Sequence, residues 1–171
     1  LLKKGCIYDS TILPMPTPPD GDWFVSLYGH YDPQYDSLNY LANGLSLEFS
    51  SPLEVGKTYQ LVYYAMNYKL LQEQMYELSY APLYFGLSED RATFGDTIYR
   101  SPEDWPYGVW QGHSFVFTAN IAARHLTVNL DVPITDYPNP IMYDGHYKYI
   151  MSLDNFYLLG GSVGFDEHLK T

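Results

Sequence analysis

The stretch Gly44-Leu45-Ser46-Leu47-Glu48-Phe49-Ser50-Ser51-Pro52-Leu53-Glu54-Val55-Gly56-Lys57-Thr58-Tyr59-Gln60-Leu61-Val62-Tyr63-Tyr64-Ala65 decides the fold class. Its first part alternates, with Leu45, Leu47 and Phe49 on one face and Ser46 and Glu48 on the other. Its last part alternates again, with Tyr59, Leu61, Tyr63 and Ala65 on one face. A period of two marks strands with one side buried. The centre, residues 51–57, carries both Pro and Gly, the chemistry of a connecting turn.

Further strands follow outward from this pair. Phe115 and Phe117 point the same way in His113-Ser114-Phe115-Val116-Phe117-Thr118, and Leu126, Val128 and Leu130 alternate with Thr127 and Asn129. Residues 23–28, 84–87, 97–99 and 147–158 read as strands as well. About eight short strands with turns between them predict an all-β fold, an antiparallel β-sandwich. Residues 68–77 read either as a short helix with Leu70, Leu71 and Met75 on one side or as an irregular loop with a helical turn. Two Pro-rich connections, residues 9–22 and 132–145, are long enough to bind something or to pack across the fold.

The chain has 171 residues, enough for one domain that folds without metals or disulfides. Twenty acidic residues against nine basic ones give a net charge of −11. That balance argues against nucleic acid and anionic membrane surfaces as partners, since both are negatively charged. No apolar run approaches the length of a membrane-spanning helix, so no membrane insertion is expected. Only 17% of residues are charged, while 19 are Tyr, so tyrosine covers surface that ions cover elsewhere. The single Cys6 excludes an internal disulfide framework. The start, Leu1-Leu2-Lys3-Lys4-Gly5-Cys6, is too short and charged for a signal sequence, so the chain reads as a fragment or a processed product. The expected boundaries are a lead-in at 1–17, the sandwich at 18–159 and a linker at 160–171.

Two loops combine aromatic and polar residues. Trp105 and Tyr107 lie among prolines in Ser101-Pro102-Glu103-Asp104-Trp105-Pro106-Tyr107-Gly108, where a stiffened ring suits stacking on a sugar or a partner chain. Tyr31, Asp32, Gln34 and Tyr35 form the second cluster, within residues 28–39. Rings serve the apolar faces of sugars, while amides and carboxylates serve their hydroxyls. The alternatives are a loop anchor folded onto the sandwich and a solvated Tyr-rich loop. Gly160-Gly161-Ser162-Val163-Gly164 matches the nucleophile-elbow string but lacks the helix and the separated acid and base that the elbow requires. No catalytic constellation emerges.

Several motifs in order resemble one family. These are Pro18-Pro19-Asp20-Gly21, the strand–Pro-Leu–Gly-Lys-Thr-Tyr–strand hairpin already quoted, and Phe85-Gly86-Leu87-Ser88 with Phe94-Gly95-Asp96-Thr97-Ile98-Tyr99. Trp110 with Ser114-Phe115-Val116-Phe117-Thr118-Ala119, and then Leu153-Asp154-Asn155-Phe156-Tyr157-Leu158, complete the set. Over residues 18–158 this resembles the carbohydrate-binding-module-like, galactose-binding-like jelly rolls of bacterial secreted and cell-surface proteins. The family's usual first strand and paired cysteines are missing from the pattern. The resemblance implies a jelly roll with Trp110 packed in the sandwich, and an extracellular or cell-surface setting. It implies a non-catalytic module that binds a neutral glycan or adheres to neighbouring protein domains. The alternative is a structural sandwich domain mediating protein contacts. It also implies a structural Ca²⁺ held by Asp154, for which Asp9, Asp20 and Asp22 are candidate partners from the other end of the chain. The alternative for Asp154 is a backbone hydrogen-bonding role at a strand bend.

Overall fold

In strand β5 (Thr58–Asn67), Tyr59, Leu61, Tyr63 and Ala65 are buried on one side, while Gln60, Val62 and Tyr64 on the other are half-buried. Aromatic and β-branched side chains suit such a pleated, one-sided surface. The computed structural model describes residues 2–3, 17–21, 23–31, 41–42, 44–67, 82–102, 108–131 and 147–160. The remaining described strands are β1 (Leu2–Lys3), β2 (Trp23–Tyr31), β3 (Leu41–Ala42), β4 (Gly44–Glu48), β6 (Leu83–Ser88), β7 (Asp96–Arg100), β8 (Gln111–Thr118), β9 (His125–Leu130) and β10 (Tyr147–Leu159). The possible helix at 68–77 lies outside the described residues.

All strand pairs are antiparallel, in two sheets. The larger sheet runs β1-β2-β10-β5-β8, with β3 also on β2, and the smaller runs β4-β9-β6-β7. Eight of the ten described strands exceed two residues. Among these eight, β6 and β7 are the one consecutive pair bonded to each other, and every other connection passes between the sheets. That alternation is the double Greek key of a jelly roll. Leu2–Lys3, in the segment read as a lead-in, pair with Trp23 and Phe24.

The hairpin expected over residues 44–65 is corrected. β4 pairs with β9 and β5 pairs with β8 and β10, so the two strands belong to different sheets. The connection is a corner that carries the chain across the core. Leu53 is buried in it, its N–H donates to the Ala123 carbonyl (3.0 Å), and the Gly56 N–H donates to that of Ala119 (2.8 Å). Gly56 has φ +82°, a backbone conformation that costs glycine least. Alternation fixes which side chains face inward, but it is blind to which sheet a strand joins.

The core lies between the sheets. Tyr63 and Phe115 of the larger sheet meet Phe85 and Tyr99 of the smaller one, with ring centroids 4.7 Å apart for Tyr63–Phe85 and 4.0 Å for Tyr99–Phe115. Such ring pairs add about 0.5–1.5 kcal/mol each beyond area burial. Leu47, Phe49, Tyr59, Leu61, Tyr63, Phe115 and Phe117 all belong to this cluster, as their alternation predicts. Trp110 does not. It is half-buried, edge-on to Phe24 (5.8 Å, 73°), and both rings lie outside the intersheet cluster.

Candidate functional site

The smaller sheet is covered on its outer side by the β6–β7 connection. Thr127 donates its hydroxyl to the Phe94 carbonyl there, and a Cβ on Gly86 would sit 2.6 Å from that same carbonyl oxygen. Arg100 is pinned by an ion pair to Asp131 (2.9 Å) and lies over the Tyr84 ring. A shallow pocket of about 290 Å³ beside this connection is rimmed by Glu89, Asp90 and Asp96. Asp90 accepts the Ala92 N–H (2.8 Å) and Asp96 accepts from Asn120 Nδ2 (3.1 Å).

The larger sheet differs, and the difference begins at a bulge. In the β10–β5 ladder Asp154 faces Tyr64, but the next partner of Val62 is Tyr157, one residue later than a regular ladder allows. Asn155 takes the extra position with φ +57°, a left-handed conformation that Asn adopts more readily than most residues. The extra residue inverts the facing of everything after it. Phe156 and Leu158 turn inward to the core, Phe156 stacking on Tyr63 (6.2 Å), and Tyr157 and Leu159 turn outward.

Three rows then cross the outer face of β10, β5 and β8. They are Leu159–Gln60–Val116, Tyr157–Val62–Ser114 and Asp154–Tyr64–Gly112. Leu159 is 51% exposed, Tyr157 49% and Val116 65%. The Tyr64 ring lies against Gly112, where a Cβ would sit 3.1 Å from the ring carbon bearing the hydroxyl. Below these rows the Thr58 and Thr118 hydroxyls are 3.1 Å apart. The first two rows carry no ionisable group except the tyrosine phenol, in a chain of net charge −11. A strand-borne face of this kind is rigid, with aromatic and aliphatic area for apolar surfaces and hydroxyls and an amide for polar ones.

Asp154 closes the third row. Its carboxylate accepts the Asp20 N–H (3.1 Å) and a backbone hydrogen bond at Asn155. Burial raises its pKa above the ordinary carboxylate value, the two backbone hydrogen bonds oppose that rise, and the charge of Asp20 adds to it. The fold thus brings Asp154 and Asp20 together from positions 134 residues apart. Oxygen donors alone suit a hard cation such as Ca²⁺, which takes six to eight of them. Among the described residues no group of three or more His, Cys, Asp or Glu side chains is gathered to hold a metal. Asp9 and Asp22 lie outside the described residues.

Trp105, Tyr107, Asp32, Gln34 and Tyr35 also lie outside them. Tyr31, read as part of a loop, ends strand β2 opposite Tyr147. Reasoning from the sequence placed binding in loops and missed Tyr157, Tyr64 and the rows around them. The available signal was Asp154-Asn155, a left-hand-tolerant residue interrupting a strand, after which the alternation restarts.

No protein-family model matches the chain, and no curated protein does. Among solved structures the chain is similar to a CBM4 structure, with a TM-score of 0.44 and 15% identity over 83% of this chain and 90% of that one. It is also similar to the K1 cleaved adhesin domain of Lys-gingipain from Porphyromonas gingivalis W83, with a TM-score of 0.39 and 8% identity over 82% of this chain and 99% of that one. The jelly-roll assignment rests on the strand pairing itself, not on these likenesses.

Proposed function

We propose that this protein is a non-catalytic binding module whose larger sheet presents its outer face to a neutral glycan. The observation that carries this reading is the uncharged pair of rows on a strongly acidic chain. An acidic polysaccharide would be repelled by the net charge, whereas a neutral sugar meets no such barrier. Tyr157 and Tyr64 occupy diagonal positions on adjacent strands, roughly 7–8 Å apart at the backbone. Both are therefore within reach of one short oligosaccharide, with Gln60 and Ser114 beside them for its hydroxyls. The same reading puts the module in an extracellular or cell-surface protein, where such glycans are met. Ca²⁺ at the Asp154 corner is a further part of it, supported by a half-buried carboxylate set beside Asp20. Asp22 and main-chain carbonyls would have to complete its shell.

A glycan array followed by affinity electrophoresis tests the binding claim. Single-site affinity should be weak, roughly micromolar to millimolar, and should gain from multivalent display. Tyr157→Ala should abolish retention while leaving the melting temperature within error, because the side chain is half exposed. Trp105→Ala serves as the comparison. Retention lost in Trp105→Ala and kept in Tyr157→Ala would move the site to the loops and overturn the sheet-face reading.

A further inference from the structure

The outer face of the larger sheet is open at one end and closed at the other. In β5, Thr58, Gln60, Val62, Tyr64 and Met66 point outward, away from the core that takes Tyr59, Leu61, Tyr63 and Ala65. Thr58 is exposed, Gln60, Val62 and Tyr64 are half-buried, and Met66 is fully buried. The partner of Met66 on β10 is Ser152, which points the same way and is fully buried too. The row continues onto β2 with Ser26, whose hydroxyl lies 3.0 Å from that of Ser152. Phe24 also faces outward, since Val25 and Leu27 pack inward, and it is buried as well. Met66 and Phe24 both lie outside the intersheet cluster. An outward side chain is hidden from solvent only where other atoms stand over it. The sheet is therefore roofed from the Met66–Ser152–Ser26 row onward, and Trp110, edge-on to Phe24, is part of the roof.

The roof gives the open rows a blind end. Along β5 the open face runs from Thr58 to Tyr64, about 20 Å at about 3.4 Å per residue. Across β10, β5 and β8 it spans only about 10 Å at about 4.8 Å per strand. A linear ligand gains most contact by lying along the longer axis, and it then stops at the roofed row. Asp154 stands at that stop, opposite Tyr64. Its carboxylate already accepts the Asp20 N–H and a backbone hydrogen bond at Asn155. An ionised carboxylate offers about four acceptor sites, so it still has capacity for hydroxyl donors, and such charge-assisted bonds are the strong ones. The last residue of a sugar chain has a free hydroxyl where an internal residue has a glycosidic bond. Resting on the glycan reading above, we propose that this site takes the free end of a neutral sugar chain and not its interior. The terminal ring lies on Tyr64, donates its end hydroxyls to Asp154, and the rest of the chain leaves over the rows of Tyr157 and Leu159 toward Thr58. An interior stretch centred on Tyr64 would have to pass through the roof.

Calorimetric titration of the whole chain with unbranched, length-graded fractions of α-glucan, mannan, galactan and xylan tests this. It is run in chelator, so that no cation competes for the carboxylate. For the fraction that binds, the Kd per mole of chains should stay constant as chain length doubles, because each chain has one such end. An interior site would instead halve that Kd with each doubling, since the number of places to bind grows with length. Capping the terminal hydroxyl by O-methylation, at each end in separate preparations, should weaken binding roughly tenfold for one of the two, the loss of one charge-assisted hydrogen bond. Asp154→Ala, with an unchanged circular dichroism spectrum, should weaken the uncapped chain by a similar factor and make it indifferent to the cap. The length series uses the wild type, so it decides the matter even if Asp154→Ala does not fold. A Kd that falls in proportion to length, or a cap without effect at either end, overturns the chain-end proposal and leaves the glycan reading standing. Binding to none of the fractions overturns both.

Discussion

Replacing Tyr63 by Phe should stabilise this protein. Tyr63 is fully buried, and among the described residues its hydroxyl has no hydrogen-bond partner. Burial pushes the phenol far above its ordinary pKa, so the group stays neutral at any physiological pH. A buried hydroxyl left without a partner costs about 1–3 kcal/mol relative to its hydration in the unfolded chain. Phenylalanine keeps the ring contacts to Phe85 (4.7 Å), His113 (5.6 Å) and Phe156 (6.2 Å) and removes only the oxygen. The small void left behind loses some dispersion contacts, so a net gain of about 1–2 kcal/mol is expected. For a chain of this length that raises the melting temperature by about 2–4 °C per kcal/mol. Urea unfolding of both proteins, with equal m-values, measures the difference directly. A loss of about 1 kcal/mol or more in Tyr63→Phe would refute the reasoning, because it would mean that the hydroxyl is hydrogen-bonded in the folded state.

Three further outcomes are expected. Phe117→Ala should cost about 3–5 kcal/mol in the same urea assay through the cavity it leaves, and a loss below about 1 kcal/mol would contradict its inward facing. Asp154 has a folded pKa above its ordinary value of 3.8, so folding binds its proton and stability falls as pH rises from 3.8 through the folded value. Asp154→Asn keeps an acceptor for the backbone N–H groups without the charge, so in chelator its melting temperature at pH 7 should equal or exceed that of the wild type. If Ca²⁺ binds at this corner, added Ca²⁺ should raise the wild-type melting temperature and leave Asp154→Asn unmoved. Burial lowers the pKa of His113 below its ordinary 6.5, so the unfolded chain binds its proton first. The contribution of the neutral imidazole is present above 6.5 and is lost as pH falls from there through the folded value. An NMR titration midpoint for His113 at or above 6.5 would contradict this.

The candidate site was legible only in part. The sequence offered Asp154 and Asp20 as joint cation ligands, and the fold brings the two residues together through the Asp20 N–H on the Asp154 carboxylate. The rows around Tyr157 were not legible, because reading Asp154-Asn155-Phe156-Tyr157 as a regular strand puts Tyr157 and Leu158 on the wrong faces. One extra residue changes the parity of a strand, and no local preference says whether an Asn within it sits in the pleat or in a bulge. Trp110 shows the same gap between type and place, since a large ring beside a strand is usually buried but its neighbours are chosen by the fold.

The sequence by itself determined the class, the inward faces of β4, β5, β8 and β9, and the acidic balance of the chain. These depend on period-2 alternation and composition, which are properties of short segments. Only the tertiary structure decided that β4 and β5 lie in different sheets and that the Asn155 bulge turns Tyr157 outward. Strand partners are distant in the chain and are chosen by which arrangement buries Leu53, Phe85, Tyr99 and Phe115 together, a non-local condition that alternation does not encode.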